Sequence, residues 1–247
     1  MTPLLQLRGV HTHIGAYHIL HGVDFDVPTG QVTMLLGRNG AGKTTTLRTI
    51  MGLWQASKGT IAFDGDSIGG KGSHRETPDI ARLGIAYVPE NMGIFSTLSV
   101  RDNLLLAARG ARTVGDIDSV RLEWLFGQFP ALRKFWLYPA GKLSGGQKQM
   151  LAIARAMIEP RRLLLIDEPS KGLAPVMVQN LIAALQELKA TTAVLLVEQN
   201  FSVARALGDH VAVMDNGRVV HEGAMSSLVD DEALQQRLLG LSLGAAA

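Results

Sequence analysis

The sequence predicts an α/β fold: a core sheet with helices between its strands, an antiparallel β subdomain ahead of it, and a helical subdomain inserted into it. Three observations carry this expectation. The short apolar run "AVLLV" reads as a strand buried on both faces, and "QVTMLL" and "LLLID" as further buried strands. A glycine-rich loop, "GRNGAGKT", lies between one such run and a helical pattern. Between Asn91 and Glu159 the strand signals give way to helical periodicity, and they return from Arg162.

Element by element, the first 35 residues read as antiparallel. In "GVDFDV", Val23, Phe25 and Val27 alternate with Asp24 and Asp26, a half-buried strand closed by a turn at Pro28–Gly30. "QVTMLL" runs into Gly37, and Lys43 to Ile50 suits a helix ended by Gly52. "GTIAFDGDSI" reads as a strand broken by an Asp-Gly turn, residues 69 to 79 as a polar surface loop, and "GIAYVPE" as a strand stopped by Pro89. In "SVRDNLLLAAR", Ser99 is the expected cap and Asp102 falls in the first turn. Then follow "LLLID", a helix over Pro175 to Leu188, "AVLLV", a helix near Ser202 to Leu207, "HVAVM", and a hairpin turn at Asp215–Gly217. We expect a single domain, 1–247, with a core formed by 1–90 and 160–225, a helical subdomain at 91–159 and a helical tail at 226–247.

Composition narrows the function. Of 247 residues, 47% are hydrophobic and 19% charged, enough apolar surface for a sizeable core. No apolar run approaches the roughly 20 residues of a membrane helix, and the N-terminus lacks a signal-peptide pattern. The absence of cysteine excludes disulfides and thiolate metal sites, and a cytosolic location is the expectation. With a formal charge of +2 and no block of basic residues, nucleic acid is not an expected partner.

The chemistry is concentrated in three motifs. "GRNGAGKT" fits G-x-x-x-x-G-K-[ST] between a strand and a helix. Gly37, Arg38, Asn39, Gly40, Ala41 and Gly42 would wrap a phosphate, with Thr45 in the following helical turn. Lys43 would reach the β- and γ-phosphates and Thr44 would ligate Mg²⁺. "LLLIDE" ends a buried strand in Asp167, suited to Mg²⁺, and Glu168, suited to polarising a water for attack on the γ-phosphate. Alternation along a strand places the two carboxylates on opposite faces. "LSGGQKQMLAIARAMI" opens a helix at Ser144, Gly145, Gly146 and Gln147, a second anion cradle that makes sense if it closes over a nucleotide held by another subunit.

In this order, "GRNGAGKT", "LSGGQ" and "LLLIDE" resemble the ATP-binding subunit of an ABC transporter over nearly the whole chain. The resemblance implies a P-loop NTPase (ABC ATPase) fold with a RecA-like core sheet, and ATP and Mg²⁺ as cofactors. It also implies head-to-tail dimerisation with a second ABC ATPase subunit, paralogue or self, in which Ser144 to Gln147 contact the partner's ATP. The helical lobe after Glu90 would receive a short coupling helix from a membrane permease subunit.

Four positions depart from the commonest pattern of the family. Glu90 stands where Gln usually meets metal and water, Ala174 where Asp usually ends the loop after the carboxylates, and Gln199 where His is the usual switch residue. Ile14 replaces the aromatic expected to stack on adenine; Tyr17 or His13 is the candidate substitute. Together "YVPE", "GLAP" and "LVEQN" resemble the second, smaller ATPase of branched-chain amino-acid importers, with urea and amide importers as relatives. Such importers pair two ATPases beneath two permease subunits on the cytoplasmic face of the membrane, and a solute-binding protein outside delivers substrate. By this resemblance Glu168 is the general base, Gln199 positions the γ-phosphate or attacking water, and Glu90 joins Thr44 and Asp167 at the metal. Lys171, where an apolar residue is more common, reads as a surface substitution in a loop that should face the dimer interface. Two other functions are less well supported. A nucleic-acid clamp would place coiled coils or zinc modules between Gly37 and Leu143, where there is neither a heptad run nor a cysteine. A slowly hydrolysing, ATP-gated dimerisation module is opposed by Glu168 and left open by Ile14 and Gln199.

Overall fold

The computed structural model describes residues 3–240; the last seven residues of the expected tail lie outside this range. Two long antiparallel strands come first, β1 (Leu5–Ile14) and β2 (Tyr17–Val27), followed by β3 (Val32–Gly37) and α1 (Lys43–Ile50). The Asp64-Gly65 turn joins β4 (Ala56–Phe63) to β5 (Asp66–Gly70). The region read as a polar loop holds a short strand, β6 (Ser73–His74), and the start of α2 (Thr77–Arg82), before β7 (Ile85–Val88).

From there to residue 157 the chain forms α3 (Val100–Ala107), α4 (Ser119–Gln128), α5 (Pro130–Lys134) and α6 (Gly145–Met157), with two 3₁₀ turns. Ser99 caps α3 by accepting the Asp102 N–H at 3.1 Å, and the Asp102 carboxylate sits at the positive end of the helix. The remaining elements are β8 (Leu163–Asp167), α7 (Pro175–Leu188), β9 (Ala193–Val197), α8 (Phe201–Leu207), β10 (His210–Asp215), β11 (Arg218–Ala224), α9 (Met225–Val229) and α10 (Glu232–Leu239). Pro175 at the first helical position gives α7 a preset φ, so Ala174 begins the helix without a side-chain cap.

The strands form two sheets. One is antiparallel, in the order β2-β1-β4-β5-β6; the other runs β11-β10-β3-β9-β8-β7. In the second sheet every neighbouring pair is parallel except β10–β11. β3 therefore departs from the antiparallel reading of the first 35 residues. It lies between β9 and β10 and is covered on both faces, as parallel strands are.

The period-2 pattern sends alternate side chains into two cores. Met34 and Leu36, Leu164 and Ile166, and Val194 and Leu196 pack against the helical side. Leu35, Leu163, Leu165 and Leu195 pack beneath the antiparallel sheet with Phe25 and Phe63. With β3, β7, β8 and β9 held in one sheet, their carboxyl ends place Gly37–Gly42, Glu90, Asp167–Glu168 and Glu198–Gln199 along one edge. Open α/β sheets bind ligands at that edge.

Candidate nucleotide-binding site

The loop after β3 needs glycine. At Gly37 the φ is +142°, and a Cβ would lie 2.2 Å from the Met214 carbonyl on β10. At Gly42 the φ is +102°, and it starts α1 with no side-chain cap, leaving the first helical N–H groups for an anion. Lys43 is buried, and its ammonium donates to Gly37 O at 2.7 Å and Arg38 O at 3.1 Å. A cavity of about 430 Å³ opens over this loop; its walls include Asn39, Gly40, Lys43, Thr44 and Thr45, with Glu90, Glu168 and Lys171 opposite. Gly37, Arg38 and Asn39 also border an adjoining cleft of about 240 Å³ with Glu198 and Gln199. Ala41 is buried behind the loop.

The carboxylates arrive from β8. Asp167 is buried, accepts the Thr44 hydroxyl at 3.1 Å and is 3.4 Å from the Tyr87 hydroxyl. Burial pushes the Asp167 carboxyl above its ordinary value, and the Glu168 and Glu90 charges add to the rise against the Thr44 hydrogen bond. Burial likewise lowers Lys43, opposed by Glu168 and Asp167. Tyr87 is pushed up to about 12 by burial and by Asp167.

Glu168 does not simply take the opposite face of the strand. Its φ is +48°, and its N–H donates to Val197 O at 2.9 Å, so the chain turns out of β8 there through a left-handed conformation. Backbone strain of this kind gathers at functional sites. Gln199, at the end of β9, donates through Nε2 to Glu168 Oε1.

Two contacts were not visible in the sequence. Lys171 is no isolated surface residue: its ammonium lies 2.6 Å from Glu90 Oε1 and 3.5 Å from Glu168 Oε2. The Glu90 and Glu168 carboxylates hold it above the ordinary lysine value. Glu198, the first residue after β9, is only 2% exposed. It accepts the N–H groups of Ser170 at 2.9 Å, Gln199 at 3.2 Å and Asn200 at 3.3 Å, tying the Lys171 loop to the Gln199 loop. Burial raises the Glu198 carboxyl against these hydrogen bonds.

The remaining predicted residues lie elsewhere. Ser144 and Gln147 form a capping box on α6, with Gln147 N–H to Ser144 Oγ at 3.3 Å and Ser144 N–H to Gln147 Oε1 at 3.0 Å. None of Ser144, Gly145, Gly146 or Gln147 lines the phosphate cavity. Tyr17 stands 76% exposed at the β1–β2 hairpin, and the cavity wall on that side is Ile19. Nearby, His13 stacks on His18 at 4.1 Å between centroids, His18 meets His21 at 4.0 Å, and His11 Nδ1 lies 3.0 Å from His18 Nε2. The alternation in "HTHIGAYHILH" was the available sign of this histidine stack.

A phosphate cradle at the end of β3, a Thr44–Asp167 pair beside it and a glutamate aimed from β8 define a P-loop nucleoside-triphosphate-binding protein with an ATP-binding cassette fold. The ABC transporter family profile matches residues 20–171, and the chain belongs to that family. It is 37% identical over 238 residues to the high-affinity branched-chain amino acid transport ATP-binding protein BraG of Pseudomonas aeruginosa, covering 96% of this chain and all of that one. It is 35% identical to a probable branched-chain amino acid transport ATP-binding protein, LivF, of Archaeoglobus fulgidus, covering 95% of this chain and 99% of that one. Among solved structures, an ATP-binding subunit of an ABC transporter superposes with a TM-score of 0.80 at 29% identity, covering 96% of each chain. The chain is thus an ABC ATPase, the ATP-binding subunit of a transporter. Among the described residues no helix is long and apolar enough to cross a membrane.

Proposed function

We propose that this subunit hydrolyses Mg·ATP at the cytoplasmic face of the cell membrane to drive import of branched-chain or closely related amino acids. The observation that carries the reading is the convergence of Lys43, Thr44, Asp167, Glu168 and Gln199 at the carboxyl edge of one sheet, in a chain similar over its length to branched-chain amino acid transport ATPases.

The loop N–H groups and Lys43 bind the β- and γ-phosphates. Thr44 and Asp167, with Glu90, would hold Mg²⁺, which neutralises charge between those phosphates. The donors fit this ion: they are hard oxygens, and the buried Asp167 carboxyl gains from a cation beside it. No group of three or more acidic or His side chains among the described residues forms a metal site alone, so phosphate oxygens would complete the ligand set, as is usual for Mg²⁺. Glu168 takes the proton of the attacking water, and Gln199 orients Glu168 through Oε1.

Two surfaces support the partners. Ser144 to Gln147 lie away from the chain's own cavity, so they contact nucleotide only across a head-to-tail dimer. A groove of about 620 Å³ lies between Trp54 and Tyr87 of the core and Ala107 and Arg155 of the helical segment. The Trp54 and Arg155 Nε groups in it have no hydrogen-bond partner among the described residues, which suits a docked helix of a permease subunit. Pro89 and Asn91 to Gly93 line it on either side of Glu90, which faces the phosphate cavity, so a permease helix pressing there would act on the phosphate site.

Deletion of the gene should lower high-affinity uptake of labelled leucine by about tenfold or more, with rescue by the wild-type chain and not by Glu168→Gln. Unchanged leucine and isoleucine uptake would refute the reading, and loss of urea or short-amide uptake instead would reassign the solute.

A further inference from the structure

We infer that Lys171 and a divalent cation compete for the Glu90 carboxylate, so that Lys171 sets the metal concentration at which the phosphate site loads. The inference rests on the proposed roles of Glu90 as a metal ligand and Glu168 as general base. The Lys171 ammonium lies 2.6 Å from Glu90 Oε1, within the phosphate cavity whose wall both residues share. A divalent ion approaches a carboxylate oxygen at about 2.1 Å, so the ammonium and the metal cannot both take the same face of that oxygen. The two cations also repel each other in a cavity already holding Lys43.

Two features make this a device of this chain rather than an incidental surface pair. First, the partners are matched. An amide at position 90 would give an ammonium only a neutral acceptor, whereas Glu90 gives it a charge-assisted bond. Second, the same ammonium reaches Glu168 Oε2 at 3.5 Å while Gln199 occupies Oε1. Both oxygens of the general base are therefore engaged. Drawing Lys171 away frees Oε2, the oxygen left to accept a proton from water. Metal entry at Glu90 and release of the base are then one event. The lysine stem is flexible, and the Lys171 side chain is 62% exposed, so it can swing aside without repacking the core.

The test is a Mg²⁺ titration of the binding of a fluorescent, non-hydrolysable ATP analogue to the purified full chain. Lys171→Met should lower the half-saturating Mg²⁺ concentration by about threefold, the scale of an exposed ion pair. Lys171→Arg should stay at the wild-type value. In a Glu90→Gln background the Lys171→Met shift should shrink to less than half, because the contested carboxylate is gone. An unchanged or raised half-saturating Mg²⁺ in Lys171→Met overturns the inference, a rise meaning that Lys171 assists the phosphates. If the wild type binds the analogue in a Mg²⁺-dependent way and Lys43→Ala does not, such a result refutes the competition alone. If wild-type binding ignores Mg²⁺, the reading of the site fails and the competition fails with it.

Discussion

Replacing Glu198 by Ala should loosen two loops of the proposed catalytic site at once. Its carboxylate is 2% exposed and accepts three backbone N–H groups, from Ser170, Gln199 and Asn200. Ser170 is itself buried, so its N–H would lose its partner without gaining water, a cost of about 1–3 kcal/mol. The Gln199 and Asn200 N–H groups lie nearer the surface and recover part of their loss from solvent. An opposing gain comes from removing a carboxyl whose burial pushes it toward the neutral form. The balance is a destabilisation of about 1–2 kcal/mol, or a Tm lower by about 2–8 °C for a chain of this length. Turnover should suffer as well as stability, because the loop released by losing Glu198 carries Gln199, which hydrogen-bonds Glu168. We expect steady-state ATPase to fall by about tenfold, roughly 1.4 kcal/mol of lost transition-state stabilisation, with nucleotide affinity changed far less. Denaturant melts and ATPase assays on the same preparation separate the two effects. A folded Glu198→Ala protein with turnover within twofold of wild type would sink the argument.

Two further predictions follow from local geometry. Gly37→Ala places a Cβ 2.2 Å from the Met214 carbonyl at a φ of +142°, so calorimetry should show a loss above about 3 kcal/mol or no folded protein; a wild-type Tm would contradict this. His11 lies below its ordinary value through partial burial and the nearby His18, Lys58, Arg218 and His21, and His21 through partial burial and His18, Arg218 and His13. The unfolded chain then protonates these rings first, near pH 6.5, so stability held above that pH is lost as pH falls through the lower folded-state values. His18→Gln should flatten the fall in Tm between about pH 7 and 5, and an unaltered slope would exclude the stack as its cause.

The sequence made some parts of this site legible and hid others for physical reasons. "GRNGAGKT" shows its geometry because its glycines are required by the backbone, at Gly37 by a carbonyl and at Gly42 by a left-handed helix start. The α7 helix runs from Pro175 to Leu188 as its proline and apolar spacing predict. The direction of β3 was not legible, because periodicity reports which faces are buried and not which strand pairs with which. Glu198 reads like any polar residue after a strand, since its burial depends on Ser170, 28 residues earlier. The role of Lys171 depends on Glu90, 81 residues away. The histidine stack needed the His13–His18 register of the β1–β2 hairpin.

The departures from the common family pattern compensate one another. Glu90 adds a negative charge to the proposed phosphate cavity, and Lys171, bonded to it and close to Glu168, cancels that charge. The three groups together carry one negative charge, the same as Glu168 alone between neutral residues at 90 and 171. A histidine at 199 would make that sum depend on pH through the neutral range, adding a second cation beside Lys171 whenever it protonated. Gln199 donates the same kind of hydrogen bond to Glu168 without titrating, so the charge around the proposed general base stays fixed. Substituting any one of Glu90, Lys171 and Gln199 with the commoner residue would therefore disturb a balance that the three maintain jointly, and their effects on turnover should be non-additive.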